Sequence, residues 1–159
     1  GELGAAVLDV WDGEPKINPA LLELAGIATP HIAGYSVDGK VAGTQMTYEA
    51  ACRFLGVEPQ SDARCFLPPP EAPELTVEND CAPEEIVRRT CLRVYNIEAD
   101  DAALRRALEM GDEERSAHFD ALRRDYHDRR EFHNTTLRFN GCPEPARRTL
   151  VGLGFRQQD

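Results

Sequence analysis

Lysine is nearly absent: of 18 basic residues only Lys16 and Lys40 are lysines and the rest are arginine, whose planar fork suits contacts with carboxylate or phosphate. Positive charge is short overall. The 28 acidic residues leave a net charge of −10, which repels a phosphate backbone and argues against a nucleic-acid binder or a protein held to an anionic membrane surface. No apolar run approaches the roughly 20 residues that cross a bilayer, and the first residues have neither the basic start nor the apolar middle of a secretory signal. Cys52, Cys65, Cys81, Cys91 and Cys142 form an odd set without a CxxC pair, so they match neither a zinc site nor a disulfide scaffold and read as reduced thiols of a cytoplasmic protein. What is present, 42% hydrophobic and 29% charged over 159 residues, is the balance of a globular chain.

Charge is unevenly spread. Residues 1–60 hold three cations and eight anions, whereas residues 61–159 hold fifteen and twenty. The change coincides with Pro68-Pro69-Pro70, a stiff spacer that helices and central strands exclude. In the first part, Ala5–Val10 is a continuous apolar run that reads as a strand buried on both faces, so that from Gly1 the chain starts as if in mid-sheet, like a piece of something longer. Asn18 as cap and Pro19 at the first helical position predict a short helix. Ile27-Ala28-Thr29 then reads as a second strand, and a helix is expected from about Val41 to Leu55, stopped by Gly56. In the second part, Glu74–Glu78 alternates like a strand and Pro83 opens a helix. Further helices are expected over Asp101–Met110 and Glu113–Arg130. Residues 133–139 alternate, Asn140-Gly141 is a turn, and a last helix (Glu144–Leu153) and strand (Phe155–Gln157) follow. The predicted class is α/β: the C-terminal end of a Rossmann-type parallel sheet domain, followed by a small α+β module with a few antiparallel strands.

The chemistry-bearing stretch is Asp9-Val10-Trp11-Asp12-Gly13-Glu14-Pro15 with Thr29-Pro30-His31-Ile32-Ala33-Gly34 after it. Each piece lies just past an expected parallel strand, where open α/β sheets place their ligands. In this order they resemble the end of the nucleotide-binding domain of the NAD-dependent D-2-hydroxyacid dehydrogenases. The continuation Gly34-Tyr35-Ser36, then Gly39-Lys40, and the charged C-terminal part narrow the resemblance to a member with a dimerisation domain and a phosphorylated 2-hydroxy acid as substrate.

The resemblance implies residues 1–35 as part of the NAD-binding domain, 36–60 as a helix returning to the substrate domain, 61–73 as a Pro-rich linker and 74–159 as a domain that forms a homodimer. It implies His31 as the base that takes the hydroxyl proton and Glu14 as its carboxylate partner. Such a pair suits the reaction because imidazole titrates near neutral pH and a carboxylate fixes its tautomer. Asp9 and Gly34 would face the NAD nicotinamide and Tyr35 would touch substrate, although an aromatic at a helix entry also serves as a packing staple. Arg129 or Arg130 could meet the substrate phosphate. His118, His127 and His133 have no metal-ligand spacing and read as surface or interface residues.

The family's glycine-rich GxGxxG turn, which seats pyrophosphate at a helix N-terminus, and its catalytic arginine are not in these residues. The piece made alone is therefore expected neither to bind NAD tightly nor to turn over. Two rivals stay open at this level: another D-2-hydroxyacid dehydrogenase, such as a phosphoglycerate dehydrogenase, and a non-catalytic dimerisation module.

Overall fold

A computed structural model describes residues 3–158; Gly1 and Glu2, at the start of the expected mid-sheet opening, and Asp159 lie outside the described residues. The elements run β1 (Val7–Leu8), α1 (Pro19–Leu24), β2 (Ile27–Ala28), α2 (Val37–Leu55), β3 (Glu74–Glu78), α3 (Pro83–Val94), α4 (Ile97–Arg105), α5 (Asp112–Arg124), β4 (Thr136–Asn140), α6 (Glu144–Gly152) and β5 (Arg156–Gln157). Single 3-10 turns lie at Ala63–Phe66, Arg106–Glu109 and Phe132–Asn134. This is a mixed α/β chain, and its sheets are parallel.

The chain packs as two compact units that cut across its linear order. One joins the residues up to Gly34 with Asn96–His127; the other joins Tyr35–Tyr95 with the chain from Asp128 onward. The reason is apolar: Leu104, Ala107 and Phe119 share a core with Trp11, Ile17, Leu22 and Ala28, not with the sheet of the second unit.

In the first unit β1 and β2 pair in parallel, Val7 with Ile27 and Leu8 with Ala28. Asn18 caps α1 as expected, its side chain accepting from the Ala20 and Leu21 N–H groups, which would otherwise have no partner. The apolar run at β1 is not buried on both faces: Leu8 packs on the core, but Val7 and Val10 are 65% and 64% exposed. Among the described residues β1 pairs with β2 alone, and no element covers the face that carries Val7. The turn from α1 into β2 is held by α4. Arg105 binds the Asp101 carboxylate and donates to the Leu22 and Ala25 carbonyls, while Asp101 accepts from Ala28 N–H at 2.7 Å. The helix expected to Arg130 stops at Arg124; Tyr126 turns back to donate to Asp100 at 2.9 Å, so Tyr126, Arg129, Arg130 and Glu131 follow the helix instead of belonging to it.

In the second unit the sheet order is β3-β4-β5, with Glu74–Glu78 aligned on Thr136–Asn140 and Thr136-Leu137 on Arg156-Gln157. The antiparallel pairing expected from alternation is thus wrong. Helices stand between successive strands: α3, α4 and α5 separate β3 from β4, and α6 separates β4 from β5, so each strand re-enters in the same direction. Asn140-Gly141 turns the chain into α6 as expected, with Gly141 at φ 66°. Leu75, Val77, Ile86, Leu137, Ala146, Leu150 and Phe155 fill the core. The long helix starts at Val37, four residues earlier than its apolar spacing indicates, because Ser36 caps it by accepting from Gly39 N–H. Gly56, at φ 69°, ends it as expected. None of the helices is long and apolar enough to cross a membrane among the described residues.

Candidate active site

The ends of β1 and β2 each open into a loop, and the two loops bring Glu14 and His31 together. His31 Nδ1 lies 2.8 Å from Glu14 Oε2, and the other carboxylate oxygen accepts from Trp11 N–H at 2.8 Å. Burial pushes the Glu14 carboxyl up. The hydrogen bonds from His31 and Trp11 and the charges of His31 and Arg123 outweigh this and hold it below its ordinary value of 4.5. An ionised carboxylate only accepts, so Nδ1 carries the hydrogen and neutral His31 presents the lone pair of Nε2. The exposures fit that division: the His31 side chain is 42% exposed and that of Glu14 18%. The pair can therefore take a proton at Nε2 and stabilise the imidazolium that results.

His31 is the one non-glycine residue with positive φ, 56°, among the described residues. Asp9 is occupied in shaping its loop. Its Oδ1 accepts from Thr29 Oγ1 at 2.7 Å and Ile32 N–H at 2.8 Å, and its Oδ2 from Ala33 N–H at 3.1 Å. These bonds use about three of the four lone-pair positions of a carboxylate. The space beside the Gly34 backbone is open: a Cβ there would meet nothing within 4 Å.

Tyr35 stands in the other compact unit, partly buried at the entry to α2, with the Lys40 ammonium 4.8 Å from its ring centre. Arg130 makes its contacts within the second unit: Nε and Nη2 bind the two Asp38 oxygens at 2.9 and 3.0 Å, Nη2 also reaches Asn134 Oδ1, and Nη1 donates to the Pro68 carbonyl. Arg129 is buried and stacks over the Tyr95 ring at 4.3 Å. Both arginines thus contact residues of the second unit. His118 Nε2 bonds the Ala103 carbonyl at 2.8 Å, and His127 packs on the Tyr126 ring. No cluster of His, Cys, Asp and Glu suited to a metal ion occurs among the described residues.

Trp11 and Thr29 went unremarked as functional residues on sequence alone. A tryptophan two places beyond a strand-end aspartate carries no signal of its own; its role appears only when the two loops meet.

Residues 66–154 match the family described as "Domain of unknown function (DUF3410)". The chain is also similar to proteins named erythronate-4-phosphate dehydrogenase. It is 44% identical over 153 residues to that of Cellvibrio japonicus (strain Ueda107), covering 94% of this chain and 40% of the relative. It is 41% identical over 150 residues to that of Marinobacter nauticus (strain ATCC 700491 / DSM 11845 / VT8), covering 94% and 39%. It is 44% identical over 149 residues to that of Azotobacter vinelandii (strain DJ / ATCC BAA-1303), again 94% and 39%. The chain thus spans about 40% of the length of the curated relatives it matches.

Proposed function

We propose, for a chain that belongs to the DUF3410 domain family, that the full-length protein is a cytoplasmic erythronate-4-phosphate dehydrogenase that oxidises 4-phospho-D-erythronate to 2-oxo-3-hydroxy-4-phosphobutanoate in vitamin B6 biosynthesis. The observation that carries this is the Glu14–His31 pair at 2.8 Å at the ends of two parallel strands, and the names of the relatives support the substrate. NAD, when bound, supplies the hydride acceptor. His31 Nε2 removes the C2 hydroxyl proton, and Glu14, held at Nδ1, stabilises the imidazolium. Asp9 and Gly34 border the nicotinamide, and Tyr35 contacts substrate. We assign homodimer formation to the residues beyond 74.

The test is turnover by the intact protein with NAD. Oxidation of 4-phosphoerythronate in preference to 3-phosphoglycerate is expected. Preference for 3-phosphoglycerate would move the protein to another branch of the D-2-hydroxyacid dehydrogenases, and turnover of neither would leave a dimerisation module. The homodimer is checked by sedimentation of the same preparation, and a monomer would remove that assignment.

A further inference from the structure

Trp11 bonds to both loops that carry the pair. Its main-chain N–H donates to Glu14 Oε1 at 2.8 Å, and its indole Nε1–H donates to the Thr29 carbonyl at 2.9 Å, two residues before His31. The indole is buried in the core of the first unit, so this bond is shielded from water. Asp9 grips the same loop on both sides of His31, at Thr29 Oγ1 and at the Ile32 and Ala33 N–H groups. Between these anchors His31 keeps φ at 56°. A side chain other than glycine stays in that region only where its surroundings over-determine it.

We infer that Trp11 is a positioning residue: with Asp9 and Thr29 it forms a brace that sets His31 against Glu14 before any ligand arrives. The inference rests on the dehydrogenase reading for what the pair does, but not for where the pair is held. A pure packing role for the indole makes a different claim, because a phenyl ring would serve that role nearly as well.

Two variants of the full-length protein separate these. Trp11→Phe keeps an aromatic ring and the main-chain bond to Glu14 while removing the bond to Thr29. Thr29→Val keeps the shape of the side chain and its carbonyl while removing the bond to Asp9. Nitrogen NMR of histidine-labelled, cofactor-free protein reads the His31 Nδ1–H bonded to Glu14, and steady-state kinetics with 4-phosphoerythronate separates kcat from KM.

The brace predicts that both variants weaken or broaden the Nδ1–H signal and lower kcat on the order of tenfold, with KM little changed, since small misplacements of a catalytic group act on the chemical step. An unchanged Nδ1–H signal in the folded variants, or a changed signal with unchanged kcat, overturns it. If Trp11→Phe does not fold, benzothienylalanine incorporated at Trp11, which keeps the bicyclic shape and lacks the Nε1–H, decides in its place. If the wild-type protein oxidises no 2-hydroxy acid yet the variants still shift the signal, the brace stands and the dehydrogenase reading falls.

Discussion

The two units satisfy their backbones in opposite ways. In the second, the five-residue ladder of β3 on β4 pairs main chain with main chain, and side chains alternate between core and solvent. In the first, the strands are two residues long, and side chains take over the work of a ladder. Trp11 holds Thr29, Asp9 holds Ile32 and Ala33, Asp101 holds Ala28, and Arg105 holds Leu22 and Ala25. Buried backbone groups need partners in either case. Supplying them from side chains allows irregular loops with fixed shape, and a left-handed histidine facing a carboxylate is such a shape.

The largest expected break in this contrast is functional and confined to the first unit. His31→Asn in the full-length protein is expected to lower kcat by about 10²–10⁴, the usual contribution of a general base, with NAD affinity retained by calorimetry. Unchanged turnover would remove His31 from the mechanism.

Core truncations sharpen the same contrast in stability. Phe119→Ala in the first unit is expected to cost about 3–5 kcal/mol and Leu150→Ala in the second about 2–5 kcal/mol. Hydrogen exchange should show each loss mainly in the core cluster that contains the residue; equal loss in both would mean that the units unfold as one.

Acid should single out the second unit. Burial pushes the Asp38 carboxyl up, but Arg130, the Glu131 N–H and Asn134 donate to it and bring it from 3.8 down to about 2. Because the folded value is the lower one, this support is complete above pH 3.8 and is lost as pH falls through about 2. It amounts to on the order of 2 kcal/mol. Asp38→Asn should flatten the acid dependence of the second unit's unfolding, and an unaltered profile would show that the ion pair contributes little. The smallest effect expected is from Asn18→Ala, about 1 kcal/mol for a lost helix cap, measured as a lowered denaturation midpoint with Glu14 and His31 undisturbed.

Much of both units was legible locally. Asn18-Pro19, Gly56, Pro83 and the alternation of Glu74–Glu78 mark elements through backbone geometry that each residue imposes on its own neighbours. Glu14 and His31 were legible as candidates through the resemblance of their two segments to a known family, and the structure places their side chains 2.8 Å apart. Strand direction was not: alternation says that one face is buried, and it reads the same in parallel and antiparallel sheets. The end of α5 was not legible either, since the charged run continues past Arg124 while the Tyr126 bond to Asp100 turns the chain away.

By itself, then, the sequence determined the caps at Asn18 and Gly56, the apolar faces of the helices and the excess of acidic residues, all properties carried within a few residues. Only the tertiary structure decided that Asn96–His127 packs with the first strands, that Arg130 spends its donors on Asp38, and that Trp11 and Asp9 brace His31. Those outcomes depend on which apolar surfaces meet and which buried polar groups then find partners, and both join residues that are far apart along the chain.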